Sequence, residues 1–311
     1  MIDTFQLSKT FARPPNISEL IGEAWKTLRY NSSGEPIALC FNASKSECKP
    51  RLTLSRTRND YWIIRAEVAL GSWLHGSNLH LPNEDELNHG LDLLSEYVES
   101  KSGIDFDAHT ERVTRVDFTR DFYVGENSVI SIIAKFKKFN LPRYERVCYK
   151  ETSVYFNNSL KKGKLTKQFK IYGKYQERLD ESKDKAEQEA AKGLIRLEIA
   201  FRKSAVNRLA KSLKLPSHNA NHILTKETSE KVIEKAMKQL HFDTLLTAES
   251  FNVEKLFELY GATMPFCLIG FLCLRDKHGE DLTKLSFINT SPKTLKRYSD
   301  DCSKAGILSL E

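Results

Sequence analysis

The chain has 311 residues, of which 48 are Lys or Arg and 41 Asp or Glu, for a formal net charge of +7. That length is enough for a real hydrophobic core and about two domains. The positive balance favours a polyanionic partner and is silent about fold. Met1 is followed by Ile-Asp-Thr-Phe, with no charged leader and no long apolar run, so no signal peptide is expected. The most apolar stretch, Ala262 to Leu274, contains Pro265 and is shorter than the ~20 residues of a membrane span. It reads as a buried helix, and the expected partners exclude a membrane. Cysteines at 40, 48, 148, 267, 273 and 302 form no CxxC pair, which fits free thiols in a reducing cytoplasm.

Taken in order, Pro14-Pro15 precedes a capped helix expected from Asn16 or Ser18 through Tyr30. Short alternating runs follow at Ile37–Phe41 and Leu52–Arg56. From Tyr61 the pattern is strand-like, with Trp62, Ile64, Ala66 and Val68 on one face and Arg65 and Glu67 on the other. A Gly/Ser/His-rich loop, Gly71 to His80, leads to a helix that Asn83 caps with Glu86 three residues on. Leu87, Leu91, Leu94 and Val98 are its buried stripe.

The cleanest alternation is Arg112 to Phe122, placing Val116, Phe118 and Phe122 opposite Arg115, Asp117, Thr119 and Asp121. A basic helix near Val129 to Phe139 comes next, then a strand over Thr152–Asn157. The segment Lys167 to Glu177 begins as a strand with Phe169 and Ile171 inward and Lys170 and Tyr172 on the other face. A charged helix is expected from Gly173 to about Lys192, its charges reading as a solvated face. Gly193 then starts a strand whose apolar face is Ile195, Leu197, Ile199 and Phe201, with Arg196, Glu198 and Arg202 opposite. Beyond residue 204 the pattern turns helical, over Lys226–Leu240, from Asn252 to Tyr260, and from Ser291 to Gly306 with Ser, Pro and Gly at the positions that start and stop a helix.

Glu67, Asp117, Tyr172 and Glu198 each stand on the polar face of a different strand. Gathered in one sheet, the three carboxylates would suit a hard cation such as Mg²⁺ or Mn²⁺. Read singly, each is equally a solvated sheet residue or a partner for Arg115 or Arg196. Tyrosine, with an ordinary pKa of about 10, attacks a phosphate only with a base, a cation or a metal beside it. Lys170 and Lys174 flank Tyr172. His75 and His80 are a second source of ligands, and a spacing of five in a loop is equally that of surface histidines.

At these residues the chain resembles the gene II/X replication initiators of filamentous phages. The resemblance is carried by Met-Ile-Asp at the start, Glu67, Leu74-His-Gly-Ser-Asn78, Val113-Thr-Arg-Val-Asp117 and Ser153-Val-Tyr-Phe-Asn157. Phe169-Lys-Ile-Tyr-Gly-Lys174 with Glu177, and Gly193-Leu-Ile-Arg-Leu-Glu198 with Arg202, complete it in order. It implies a rolling-circle nickase and strand-joining enzyme in the cytoplasm of a bacterial host. Tyr172 would be the covalent nucleophile, Lys174, Arg115 and Arg196 its catalytic company, and Glu67, Asp117 and Glu198 the Mg²⁺ ligands. Asn78 and Lys170 would touch DNA. The His-hydrophobe-His triplet of many nickases is absent, and Gly76-Ser77-Asn78 replaces a Gly-His-Asn that family members can have. Tyr175 would share a helical face with Tyr172 if the helix began there.

The fold expected is α+β: a mainly antiparallel sheet with flanking helices over residues 1–204, then a smaller helical, helix-turn-helix-like domain over 205–311. Lys135, Lys137, Lys138, Lys161, Lys162, Lys164 and Lys167 would surround the site with positive charge. Lys293, Lys296 and Arg297 would open a DNA-reading helix. Expected partners are single- or double-stranded origin DNA and the host replication helicase and polymerase. The alternatives are a plasmid trans-acting initiator and a non-catalytic origin-binding repressor.

Overall fold

In the computed structural model, the described residues are 1–12, 20, 25–41, 48–158, 165–182, 184–242 and 245, with 293, 294, 296–298 and 300. Ten strands make one antiparallel sheet: β1 Ile2–Phe11, β2 Lys26–Tyr30, β3 Pro36–Phe41, β4 Arg51–Arg56, β5 Trp62–Ala69, β6 Arg112–Tyr123, β7 Tyr144–Tyr149, β8 Ser153–Asn158, β9 Lys167–Gly173 and β10 Leu194–Arg202. Their order across the sheet is β2-β3-β4-β5-β1-β6-β10-β9-β8-β7. The strands that alternate most cleanly in sequence, β5, β6, β9 and β10, thus lie near the centre, with the N-terminal strand between β5 and β6.

Alternation sorts the side chains onto two faces. Phe5, Leu7, Ile64, Ala66, Val116, Phe118, Phe169, Ile171, Ile199 and Phe201 are buried. Helices cover this apolar face. In α3, Val129–Lys138, Ile132, Ile133 and Phe136 are buried, and a Cβ on Gly173 would meet Val129 at 2.9 Å. In α6, Ser204–Ser212, and α8, Lys226–Gln239, Val206, Leu209, Val232 and Ile233 are buried, while Phe242 stacks on Phe122 and Phe136. The helix α1, Leu70–His75, precedes α2, Glu84–Ser102, which buries Leu87, Leu91, Leu94 and Val98. Asn83 and Glu86 form a reciprocal capping box at the start of α2, as the sequence predicts.

Several expectations change. Lys26–Tyr30 is a strand, not the end of a helix, because it pairs with β3; residues 13–19 and 21–24 of that expected helix lie outside the described ones. Leu70–His75 is helical where a loop was expected, since burial of Leu70 and Gly71 against the sheet favours a compact turn. The charged helix divides into α4, Lys174–Glu181, and α5, Lys185–Ala190, and it is not wholly solvated: Lys174 and Arg178 are buried. The first compact unit runs Met1–Phe242, so the boundary expected at residue 204 falls inside it: α6, the short α7, Ala220–Ile223, and α8 pack on the sheet. Of the helix expected over 291–306, the described residues 293, 294, 296–298 and 300 are helical. The helices expected at 252–260 and 262–274 lie outside the described residues.

Candidate active site

On the sheet's polar face the pairing registers bring distant residues together. Gln6 of β1 lies opposite both Glu67 and Arg115. Glu198 pairs with Thr119 on one side and Lys170 on the other, and Arg196 with Asp121 and Tyr172. Five segments far apart in sequence therefore supply one continuous polar band.

Arg115 is its first knot. Nη1 donates to Glu67 at 2.5 Å, while Nε and Nη2 donate to Asp117 at 3.1 and 2.6 Å. Burial opposes the guanidinium charge, yet hydrogen bonds to Asp117 and the charges of Asp117, Glu67 and Glu198 hold its pKa above the usual value. Asp117, 1% exposed, is pushed up to about 6 by burial and by Glu198, against the pull of Arg115. Glu198 resists burial because Lys170 binds it, and its pKa falls.

Tyr172 is the second knot. Its hydroxyl donates to Glu198 Oε2 at 3.4 Å. Burial, then the charges of Glu198 and Glu177, raises its pKa well above 10, and Arg196 works the other way. Arg196 is fully buried; Nε and Nη2 donate to Asp121 at 2.6 and 2.7 Å. Its Nη1 has no hydrogen-bond partner. Immediately after the strand, the buried ammonium of Lys174 donates to Asn78 at 2.9 Å and pairs with Glu177. The same ammonium stands 5.8 Å over the Tyr172 ring.

Sequence reasoning missed Asp3. A register shift in β1 between Ile2 and Thr4 makes it a bulge residue, and it is 9% exposed with Oδ1 unpartnered. Burial and Glu198 raise its pKa, against Arg196 and Lys174. In the sequence it stood out only as part of the Met-Ile-Asp that opens the resemblance.

Of the residues expected at the site, Glu67, Arg115, Asp117, Lys170, Tyr172, Lys174, Arg196, Glu198 and Asn78 lie in this one network. Glu67 meets Asp117 only through Arg115. Among the described residues, the group of three metal-ligating side chains with ligand atoms within 4.8 Å of one another is His75, His80 and Glu86. Tyr175 does not share a helical face with Tyr172, because the helix starts at Lys174; its ring takes Lys192 at 5.7 Å. Lys135, Lys137 and Lys138 ride on α3 and Lys167 sits over Phe169 and Phe201, all on the side of the apolar face and not around Tyr172. Lys161, Lys162 and Lys164 lie outside the described residues. Lys293, Lys296 and Arg297 are exposed on their helix.

Buried carboxyls, an unpartnered guanidinium nitrogen and a tyrosine hydroxyl on a carboxylate can together bind a phosphodiester and remove a proton from the tyrosine. Residues 16–227 match a family model that describes the N-terminal part of the gene II replication-associated protein of phages. No curated protein matches. The chain is similar to a solved structure described as "Structure of Rolling Circle Replication Initiator Protein from Geobacillus stearothermophilus", with 15% identity, 68% of this chain and 77% of that chain covered, and a TM-score of 0.32.

Proposed function

The chain belongs to the gene II family of phage replication-associated proteins, and from that membership we propose that it initiates rolling-circle replication by cutting the plus strand at the origin and later rejoining it. The observation that supports this most is the contact of the Tyr172 hydroxyl with Glu198 beside the unpartnered Nη1 of Arg196. Tyr172 attacks the scissile phosphorus and passes its proton to Glu198. The bond to the 3′ oxygen breaks, leaving a 5′-phosphotyrosine and, after that oxygen takes a proton, a 3′-hydroxyl primer. One phosphodiester replaces another, so the reverse attack by a 3′-hydroxyl rejoins the ends.

Arg196, fixed by Asp121, would offer Nη1 to a phosphate oxygen. Lys170 and Arg115 would share the negative load of phosphate and carboxylates. Lys174 would position the strand end through Asn78 and Glu177 and oppose charge repulsion at Tyr172. Origin sequence would be read by the helix bearing Lys293, Lys296 and Arg297, and host helicase and polymerase would act on the primed strand.

The oxygen donors suit Mg²⁺ or Mn²⁺, since Asp117 and Glu198 are buried carboxylates of the polar band and Asp3 Oδ1 is buried without a partner. Asp117, Glu198 and Glu67 would hold the cation, with Asp3 a further candidate ligand. When bound, it would polarise the scissile phosphate and lower the barrier to tyrosinate attack.

The test is incubation of the protein with Mg²⁺ and single-stranded origin DNA, followed by denaturation. A covalent protein–DNA adduct is expected from the unaltered protein and none from Tyr172→Phe. An adduct that survives the substitution contradicts the assignment. Origin binding without any adduct would instead favour a repressor that keeps the fold without cleavage.

A further inference from the structure

The connection from α1 to α2 carries ligand chemistry that strand cutting does not use. His75 closes α1, His80 lies in the following loop, and Glu86 stands in the first turn of α2. His75 Nε2 is 3.1 Å from one carboxylate oxygen of Glu86, and His80 Nε2 is 3.3 Å from the other. The two rings are 4.3 Å apart between centroids and inclined at 68°. The three side chains retain 33%, 57% and 27% exposure, so an ion can reach them from solvent.

Zinc-class ions take imidazole nitrogen and carboxylate oxygen at about 2.0–2.2 Å, and a tetrahedron of that size has edges of roughly 3.3 Å. Glu86 offers one carboxylate oxygen to each imidazole, and one ligand atom from each of the three side chains lies within 4.8 Å of the other two, so a small movement brings them onto one ion. Imidazole donors also separate this group from the all-oxygen sheet site, which suits harder cations. The carboxylate is already oriented, because Glu86 Oε2 accepts from the backbone N–H of Asn83 at 2.8 Å.

We propose that His75, His80 and Glu86 bind a transition-metal ion of the zinc class, apart from the carboxylates of the sheet, and that the ion clips the α1–α2 connection to the start of α2. Asn78 lies between the two histidines and accepts from Lys174. Closing the clip fixes both ends of the segment that presents Asn78 to Lys174. This last consequence rests on the proposed function, whereas metal binding does not.

The full-length, metal-free protein is titrated with Co²⁺ in the presence of excess Mg²⁺, following the visible absorption of tetrahedral cobalt, and then with Zn²⁺. One Co²⁺ per chain with an intense tetrahedral spectrum, displaced by Zn²⁺, is expected. Asp117→Asn should bind Co²⁺ unchanged, and the double variant His75→Gln/His80→Gln should lose the signal. Glu86→Gln, which keeps a capping side chain at that position, should weaken binding at least about tenfold. Absence of stoichiometric Co²⁺ binding, or binding that survives the histidine and Glu86 substitutions, overturns the proposal. None of these readouts involves DNA, so a failure here is distinguishable from a failure of the strand-cutting reading.

Discussion

Tyr172 and its neighbours trade stability for chemistry. Burial and the charges of Glu198 and Glu177 raise the pKa of the hydroxyl, so the ground state disfavours tyrosinate, while Arg196 favours it. Asp117 is the clearest probe of this balance. With its folded pKa near 6 against an ordinary 3.8, the native state keeps a proton that the unfolded chain has lost. Stability must therefore fall as pH rises between those values. Glu198 has the opposite sign, contributing stability above its ordinary 4.5 that is lost on acidification. From about pH 4.5 to 6, without divalent metal, denaturation should show the unaltered protein losing on the order of 2 kcal/mol relative to Asp117→Asn. On the proposed function, in which Asp117 is a cation ligand, binding would displace that proton, and Mg²⁺ should bind more tightly at the upper end of the window. A pH-independent difference between the two proteins would refute this origin for the Asp117 shift. Asp3 escaped the sequence reading for a physical reason: a bulge breaks the period-two rule that located Glu67, Asp117 and Glu198.

At the scale of elements, strands with one charged and one apolar face were legible because alternation directly encodes which side is buried. β5, β6, β9 and β10 and their facing residues follow that rule, and strand pairing, unreadable from periodicity, then set Arg196 beside Tyr172. Two other elements were not legible. β7, Tyr144–Tyr149, lies at the sheet edge with largely exposed side chains and carries no apolar face to reveal it. The charges of α4 looked solvated because helical spacing cannot show that Lys174 and Arg178 turn toward a polar core. The capping signal of α2 was local and therefore readable. Asn83→Ala removes the acceptor for the Glu86 N–H, 2.9 Å away, and should lower stability by about 1 kcal/mol in chemical denaturation. No change would mean that the box is not supporting the helix.

For the molecule as a whole, the sheet's apolar face sets the extent of the folded unit. Val206, Leu209, Val232, Ile233 and Phe242 are buried, so a fragment of residues 1–242 should unfold in one cooperative thermal transition. A fragment ending at 204 would uncover Phe201 and Ile199 and should aggregate or melt without a transition. Equal cooperativity of the two would contradict the packing assigned to α6 and α8. The net charge of +7 is compatible with DNA contact, but the described basic residues of α3 stand on the face opposite Tyr172, so under the proposed function the polar-face arginines and lysines would be the ones to hold DNA at the tyrosine. The central claim, that Tyr172 becomes joined to DNA, is tested most directly by mapping the linked residue. Trypsin cleavage after Lys170 and Lys174 separates Tyr172 from Tyr175. Mass spectrometry of the nucleotide-bearing peptide should find the Ile171–Lys174 fragment, whereas a nucleotide on the peptide containing Tyr175, or on any other residue, would contradict the account.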